Sequence, residues 1–402
     1  MARLTCPYCY RPFAEKEMLF RCSGMRAADG RFCEAAPDPV RVALGDQVVV
    51  LPVVPGNGKK LSALCQACGN TATVQICPHC HAQLPVHFGK IDTRMVAMVG
   101  AKFSGKSVYT TVLMHELIHR VGRRFDAAVI GADEETRKKF GNEERALYSE
   151  GVLPDTTRPA NAGEQGRQPF VFKFSLGERK LFRNTLRHTV LSFFDTAGED
   201  LETSRGVAQN ATYLSSADGI IVLLDPLTVP GLVQTLGIDP GVLPARSQQE
   251  AARGDSPINI LTRVTEVLQK LPGAGPNRMI DVPVAIAFSK VDALWDALPE
   301  DSPLRQPAPD AAWFPEQDSL ALHDHVQALL HQWEGGQIDQ LLHKHYRTYR
   351  YFALSALGAV PPAKEPAQAR QRVAKSGIQP HRVEDPFLWL LSRLKVIETG
   401  RG

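Results

Sequence analysis

The chain has 402 residues, 44% hydrophobic and 22% charged, a globular balance that excludes a disordered or collagen-like protein. Its formal net charge is +3, and eight thiolates holding two zinc ions would bring that to about −1, so charge gives no ground for a nucleic-acid partner. No apolar run approaches the ~18 residues of a membrane span, and the first residues lack a secretory-signal pattern. A cytoplasmic protein is expected.

All eight cysteines lie within the first 80 residues. Cys6 and Cys9 form a CxxC knuckle followed by Cys22 and Cys33. Cys65, Cys68, Cys77 and Cys80 form a second set, CxxC-x8-CxxC. A two-residue gap lets both thiolates converge on one tetrahedral ion. Read along the chain, the sets predict two successive zinc modules, residues 1–45 and 46–90. Each closes its ion with four thiolates, so the zinc is structural and supplies folding free energy to a module too small for its own core. His79, His81 and His87 stand nearby as substitute ligands. Tyr8, Tyr10 and Phe13 surround the first knuckle and are expected to pack a small core. Val48 to Val54 reads as a strand, followed by a break at Gly56-Asn57-Gly58.

Residues 93–99 read as a buried strand. Gly100-Ala101-Lys102-Phe103-Ser104-Gly105-Lys106-Ser107 follows, a GxxxxGKS loop, with a helix expected from Lys106 to about Val121. In that context the loop amides, on to Val108, face phosphate oxygens at a helix N-terminus. Lys106 reaches the β- and γ-phosphates, and Ser107 offers its hydroxyl to Mg²⁺. Residues 133–150 form a charged helix with a solvated face.

Phe170 to Phe174 and residues 187–195 are two further strands. The second runs into Asp195-Thr196-Ala197-Gly198-Glu199. An Asp at that strand end can hold Mg²⁺ through water, and the Gly198 amide can sense a γ-phosphate. Asp218 to Asp225 and residues 281–288 are central strands. The latter ends in Ser289-Lys290-Val291-Asp292, where Asp292 can accept two hydrogen bonds from a guanine edge while the Lys290 stem lies across the base. Tyr351 to Leu354 leads to Ser355 and Ala356, where a backbone amide can reach the guanine carbonyl.

The GAKFSGKS, DTAGE, SKVD and SAL elements, in that order, resemble the first, third, fourth and fifth motifs of Ras-like GTPases of the translation-factor-related class, over about residues 92–397. The resemblance implies an α/β fold, a mixed, mainly parallel P-loop GTPase sheet flanked by helices, with Phe170 to Phe174 and Thr189 to Phe194 as its antiparallel pair. It implies GTP/GDP and Mg²⁺ as cofactors beside two Zn²⁺. Ser289 stands where the family has Asn or Thr. The family's magnesium-binding Thr falls in Leu153 to Pro159, with Thr157 preferred over Thr156. Neighbouring Arg158 is either an arginine finger in cis or a surface arginine. Glu199 replaces the water-orienting Gln, and either orients water or is repelled by the phosphates. Lys102 replaces a Gly, and either crowds the water or neutralises transition-state charge. Slow intrinsic hydrolysis, with activation by a partner or by dimerisation, is implied.

The N-terminal zinc ribbons, the long helix before the switch, its LPxTT-like sequence and an Asp-Pro-hydrophobic C-terminal helix are similar to bacterial double-GTPase families of conflict systems. That similarity implies an effector or regulator protein as partner, or a second GTPase. The GTPase domain is placed at residues 91–400, with surface insertions at 227–256, 297–318 and 358–386. Ser319 to Trp333 and Gln337 to Tyr346 are helices, and Phe387 to Val396 a closing amphipathic one. His323, His325, His331, His343 and His345 are read as solvent-facing. The expected function is a GTP-binding, slowly hydrolysing switch. A P-loop ATPase, a nucleic-acid adaptor with structural nucleotide, and a scaffold without turnover are the competing readings.

Overall fold

The computed structural model describes residues 3–27, 29–101, 103–154, 169–180, 183–195, 212–229, 231–237, 256–271, 278–362 and 371–400. The principal sheet has seven strands: β1 (Asp92–Gly100), β2 (Ala127–Gly131), β3 (Phe170–Lys180), β4 (Arg183–Asp195), β5 (Gly219–Leu224), β6 (Val284–Phe288) and β7 (Tyr349–Ala353). Their spatial order is β2-β3-β4-β1-β5-β6-β7. The pairs β1–β5, β5–β6 and β6–β7 are parallel, and β3–β4 is an antiparallel hairpin. The result is a mixed, mainly parallel α/β sheet flanked by helices.

Every residue of β5 and β6 is buried. A continuous Val/Ile/Leu run without alternation is what a parallel strand covered on both faces requires. On one side the helix Asp385–Arg393 lies against β5 and β6. A Cβ at Gly219 would come within 2.9 Å of the Leu390 side chain, so a larger residue there would require that leucine to shift. The helix was expected to be amphipathic, but Asp385 to Ser392 are all buried. Its buried Asp385 is paired by Arg382, whose guanidinium also holds Asp318, at 2.8 Å each, and the Ser392 hydroxyl donates to the Trp389 carbonyl at 2.7 Å.

The chain divides into two compact units. One comprises Met1–Met95, Val129–Arg137 and Ala160–Phe194; the other comprises Val96–Ala128, Lys138–Pro159 and Asp195–Gly402. In the second, the helix Pro257–Gln269 buries Ile260, Leu261, Val264 and Leu268 at helical spacing, and Glu316–Gln332 packs on β7. The described parts of the segments read as surface insertions carry core residues. Leu227, Val229, Leu232, Leu304 and Phe314 are buried, as is Arg382. Short hydrophobic positions among prolines and acids hide such burial from a periodicity reading.

Candidate nucleotide-binding loop and metal centres

β1 delivers Gly100 to the loop. A Cβ there would lie 2.5 Å from the Leu223 carbonyl oxygen of β5, so the strand end tolerates no side chain. Gly105 caps the helix Lys106–Glu116 at φ 88°, a left-handed conformation suited to glycine. The buried Lys106 ammonium folds back over the loop and donates to the carbonyl oxygens of Gly100 at 2.9 Å and Ala101 at 2.6 Å. Ser104 Oγ closes the turn onto the Ala101 carbonyl at 2.9 Å. Phe103 takes φ 64°, and Ser107 and Val108 form the first helical turn, partly exposed.

The carboxyl end of β6 adjoins this loop. Ser289 Oγ donates to the Ser104 carbonyl at 3.0 Å and lies 3.1 Å from that of Leu224. Lys290 adopts a left-handed φ of 55°, and its ammonium meets the buried Asp225 carboxylate at 2.6 Å. That bond fixes the head of the lysine. Asp225 is a neighbour of the candidate site that the sequence did not single out; its signal was an acid at a strand end before Pro226, where its side chain caps the Leu227 amide at 3.0 Å. Burial holds the Asp292 carboxyl above its ordinary value, and a hydrogen bond with Ser355 opposes that shift. Ser355 is fixed by a two-way backbone bridge with His381, at 3.0 and 2.8 Å. Its hydroxyl also accepts from the Gly358 amide, with Ala356 beside it half-buried. The structure thus gathers Gly100, Ala101, Phe103 to Val108, Ser289, Lys290, Asp292, Ser355 and Ala356 at the carboxyl ends of β1, β6 and β7. β4 ends at Asp195. Lys102, Thr156, Thr157, Gly198 and Glu199 lie outside the described residues.

The cysteines form two tetrads, but not the sequential pair expected. Cys6 and Cys9 join Cys77 and Cys80, and Cys22 and Cys33 join Cys65 and Cys68. The expected sets, split near residue 45, are therefore corrected to a nested arrangement. Its physical reason is strand pairing: Leu19–Arg21 lies between Val53–Pro55 and Val74–Ile76, both antiparallel, which brings the two ends of the segment together. All eight thiols are free of disulfides.

Sulfurs about 2.3 Å from one tetrahedral ion stand about 3.8 Å apart. Cys6–Cys80 and Cys9–Cys77 are 3.8 Å, Cys33–Cys65 3.7 Å and Cys22–Cys68 3.5 Å. The amides of Tyr8, Gly24 and His79 donate to Cys6, Cys22 and Cys77 sulfurs. Four thiolates held this close repel one another unless a cation lies between them. Both tetrads fit zinc. His81 is no ligand; its Nδ1 lies 2.9 Å from Asp38.

No protein-family model matches the chain. SaeC of Mycolicibacterium smegmatis, described provisionally as an ESX-1 scaffolding and assembly protein, is 28% identical over 342 residues, 81% of each chain. Among solved structures, the Arl6 (BBS3) small GTPase of Trypanosoma brucei with a bound nucleotide analogue shares 12% identity at a TM-score of 0.28. That overlap covers 76% of this chain and 99% of that one. The bacterial selenocysteine-specific elongation factor EF-Sec shares 14% at 0.25, over 77% of this chain and 30% of that one. No described helix is long and apolar enough to cross a membrane.

Proposed function

We propose that the chain binds GTP with Mg²⁺, hydrolyses it slowly, and acts as a switch on a protein partner. The observation that carries this reading is the Ser289–Ser104 hydrogen bond of 3.0 Å. It locks the strand end bearing Lys290 and Asp292 to the loop bearing Lys106. A phosphate cradle and a carboxylate suited to a guanine edge then belong to one site. Loop amides and Lys106 hold phosphates, Asp292 accepts from the base, Lys290 walls it, and the Ala356 amide, next to a Ser355 amide held by His381, faces its carbonyl. Ser107, Asp195 and Thr157 are assigned to magnesium, which when bound offsets phosphate charge. Gly198 is assigned to sensing the γ-phosphate. Lys102 and Glu199 are assigned to the hydrolytic step, in which a positive charge and a carboxylate near the attacking water replace the family's Gly and Gln. Zn²⁺ in both cysteine tetrads completes the cofactor set.

Asp292→Asn tests the base assignment, because the amide presents a donor where guanine also donates. GTP affinity should fall at least tenfold and xanthosine triphosphate affinity should rise. Unchanged GTP affinity contradicts the reading.

A second reading takes the likeness to SaeC as its support, since that relative matches over most of both chains. In it the nucleotide state of this chain governs the building of a protein assembly, and the partner is a component of that assembly. A second GTPase, as in the double-GTPase families, is the alternative partner. Absence of phosphate release together with nucleotide-dependent pull-down of a defined partner favours the scaffold form.

A further inference from the structure

We infer that His115, His119 and Glu144 form a third metal site, open to solvent and built for a divalent transition ion rather than for the thiolate-bound zinc of the tetrads. His115 and His119 sit one turn apart, the first on the phosphate-loop helix Lys106–Glu116 and the second on its continuation Leu117–Val121. Glu144 ends the facing helix Glu134–Glu144. Its Oε1 lies 2.7 Å from His115 Nδ1 and 3.3 Å from His119 Nε2. One ligand atom from each residue falls within 4.8 Å of the others.

Two imidazoles and one carboxylate suit zinc, nickel, copper or cobalt rather than calcium or magnesium. Three protein ligands leave coordination positions for water, unlike the closed four-thiolate tetrads. The side chains are 24%, 53% and 26% exposed, so an ion can enter from solvent.

The backbone supplies an independent sign. Both helices depart from α geometry at this point, into π turns over Leu117–Val121 and Arg145–Ser149. Such turns are energetically poor and gather at functional positions. Tyr148, from the second π turn, stacks on the His115 ring at 3.8 Å between centroids. It fixes that imidazole's orientation, as groups behind metal-binding histidines do. One turn nearer the phosphate loop, Thr111 Oγ1 donates to Glu143 at 3.0 Å across the same pair of helices. An ion at the site would brace the helix that begins at Lys106 against the helix that precedes Thr157 in the chain.

The test uses the full, tag-free chain with both cysteine tetrads zinc-loaded. Ni²⁺ is added and followed by calorimetry and metal analysis. A third equivalent is expected, with affinity reduced at least tenfold in His119→Ala and in Glu144→Gln. Co²⁺ added to the zinc-loaded protein should give only weak visible bands of nitrogen and oxygen ligation, without the intense near-ultraviolet band of thiolate ligation. Circular dichroism monitors the fold of each variant, and the Co²⁺ spectrum needs no variant. No third equivalent, a thiolate spectrum, or an affinity unchanged in both variants overturns the site.

Discussion

The Ser192 hydroxyl donates to the Pro7 carbonyl at 2.7 Å, joining residues 185 positions apart. Ser192 is fully buried on β4, three residues before Asp195. Tyr10 OH reaches the same hydroxyl at 3.3 Å, and Tyr8 OH donates to Asp133 at 2.6 Å. The first cysteine knuckle is therefore fastened to the hairpin and to the turn before the charged helix. Tyr8 packs against the small core as expected and Tyr10 is buried, and their hydroxyls also act as tethers.

Ser192→Ala strands the Pro7 carbonyl without its donor. A buried acceptor left unpaired costs about 1–3 kcal/mol. The urea midpoint should fall accordingly with an unchanged slope. An unaltered midpoint would show that the tether carries no stability.

The nested cysteine pairing makes a counting prediction. Cys9→Ser combined with Cys77→Ser damages one tetrad and should leave one zinc bound. Cys9→Ser combined with Cys22→Ser damages both and should leave none. Sequential modules would reverse the two results. Metal analysis after gel filtration decides between them.

Acid should weaken guanine binding earlier than it weakens most carboxylate contacts. Asp292 accepts from guanine only when ionised, and burial raises its proton affinity above that of an ordinary carboxylate. GTP affinity should drop on acidification from pH 7 toward the carboxylate range, and Asp292→Asn should lack that drop. Parallel pH profiles would remove Asp292 from the site.

His323 gives the fold an acid-sensitive point. The Tyr351 amide donates to its Nδ1 at 3.0 Å, so that nitrogen must be unprotonated. Burial and then the Arg350 charge lower its pKa. The unfolded chain, near 6.5, binds the proton more readily. This contribution is therefore complete above about pH 6.5 and is lost as pH falls through the folded value. Urea midpoints at pH 7.5 and 5.5 should differ less in His323→Leu than in the parent chain. An equal difference would place the acid sensitivity elsewhere.

The central strands and the phosphate loop were legible because uninterrupted apolar runs and a GxxxxGKS string are local signals. Helix positions followed from helical spacing, while the antiparallel pairing of the hairpin came from the family resemblance alone. The cysteine tetrads were legible as ligands but not as partners, because pairing depends on Leu19–Arg21 lying between two distant strands. β2 escaped notice: Ala127–Gly131 is short, and although its burial alternates, its sequence does not, because the exposed Ile130 is apolar. The His115–His119–Glu144 cluster escaped because its third member comes from another helix, and two histidines one turn apart are common on a helix surface. Asp225 was read as a strand end, since nothing in one sequence shows that Lys290 will reach it.

Base selection tests the guanine assignment most directly. Zinc-replete protein titrated calorimetrically with Mg²⁺ and slowly hydrolysed GTP and ATP analogues should prefer GTP by more than about tenfold, or ~1.4 kcal/mol. Equal or ATP-favouring affinity would contradict the guanine assignment of Asp292, leaving a phosphate loop whose base is not guanine.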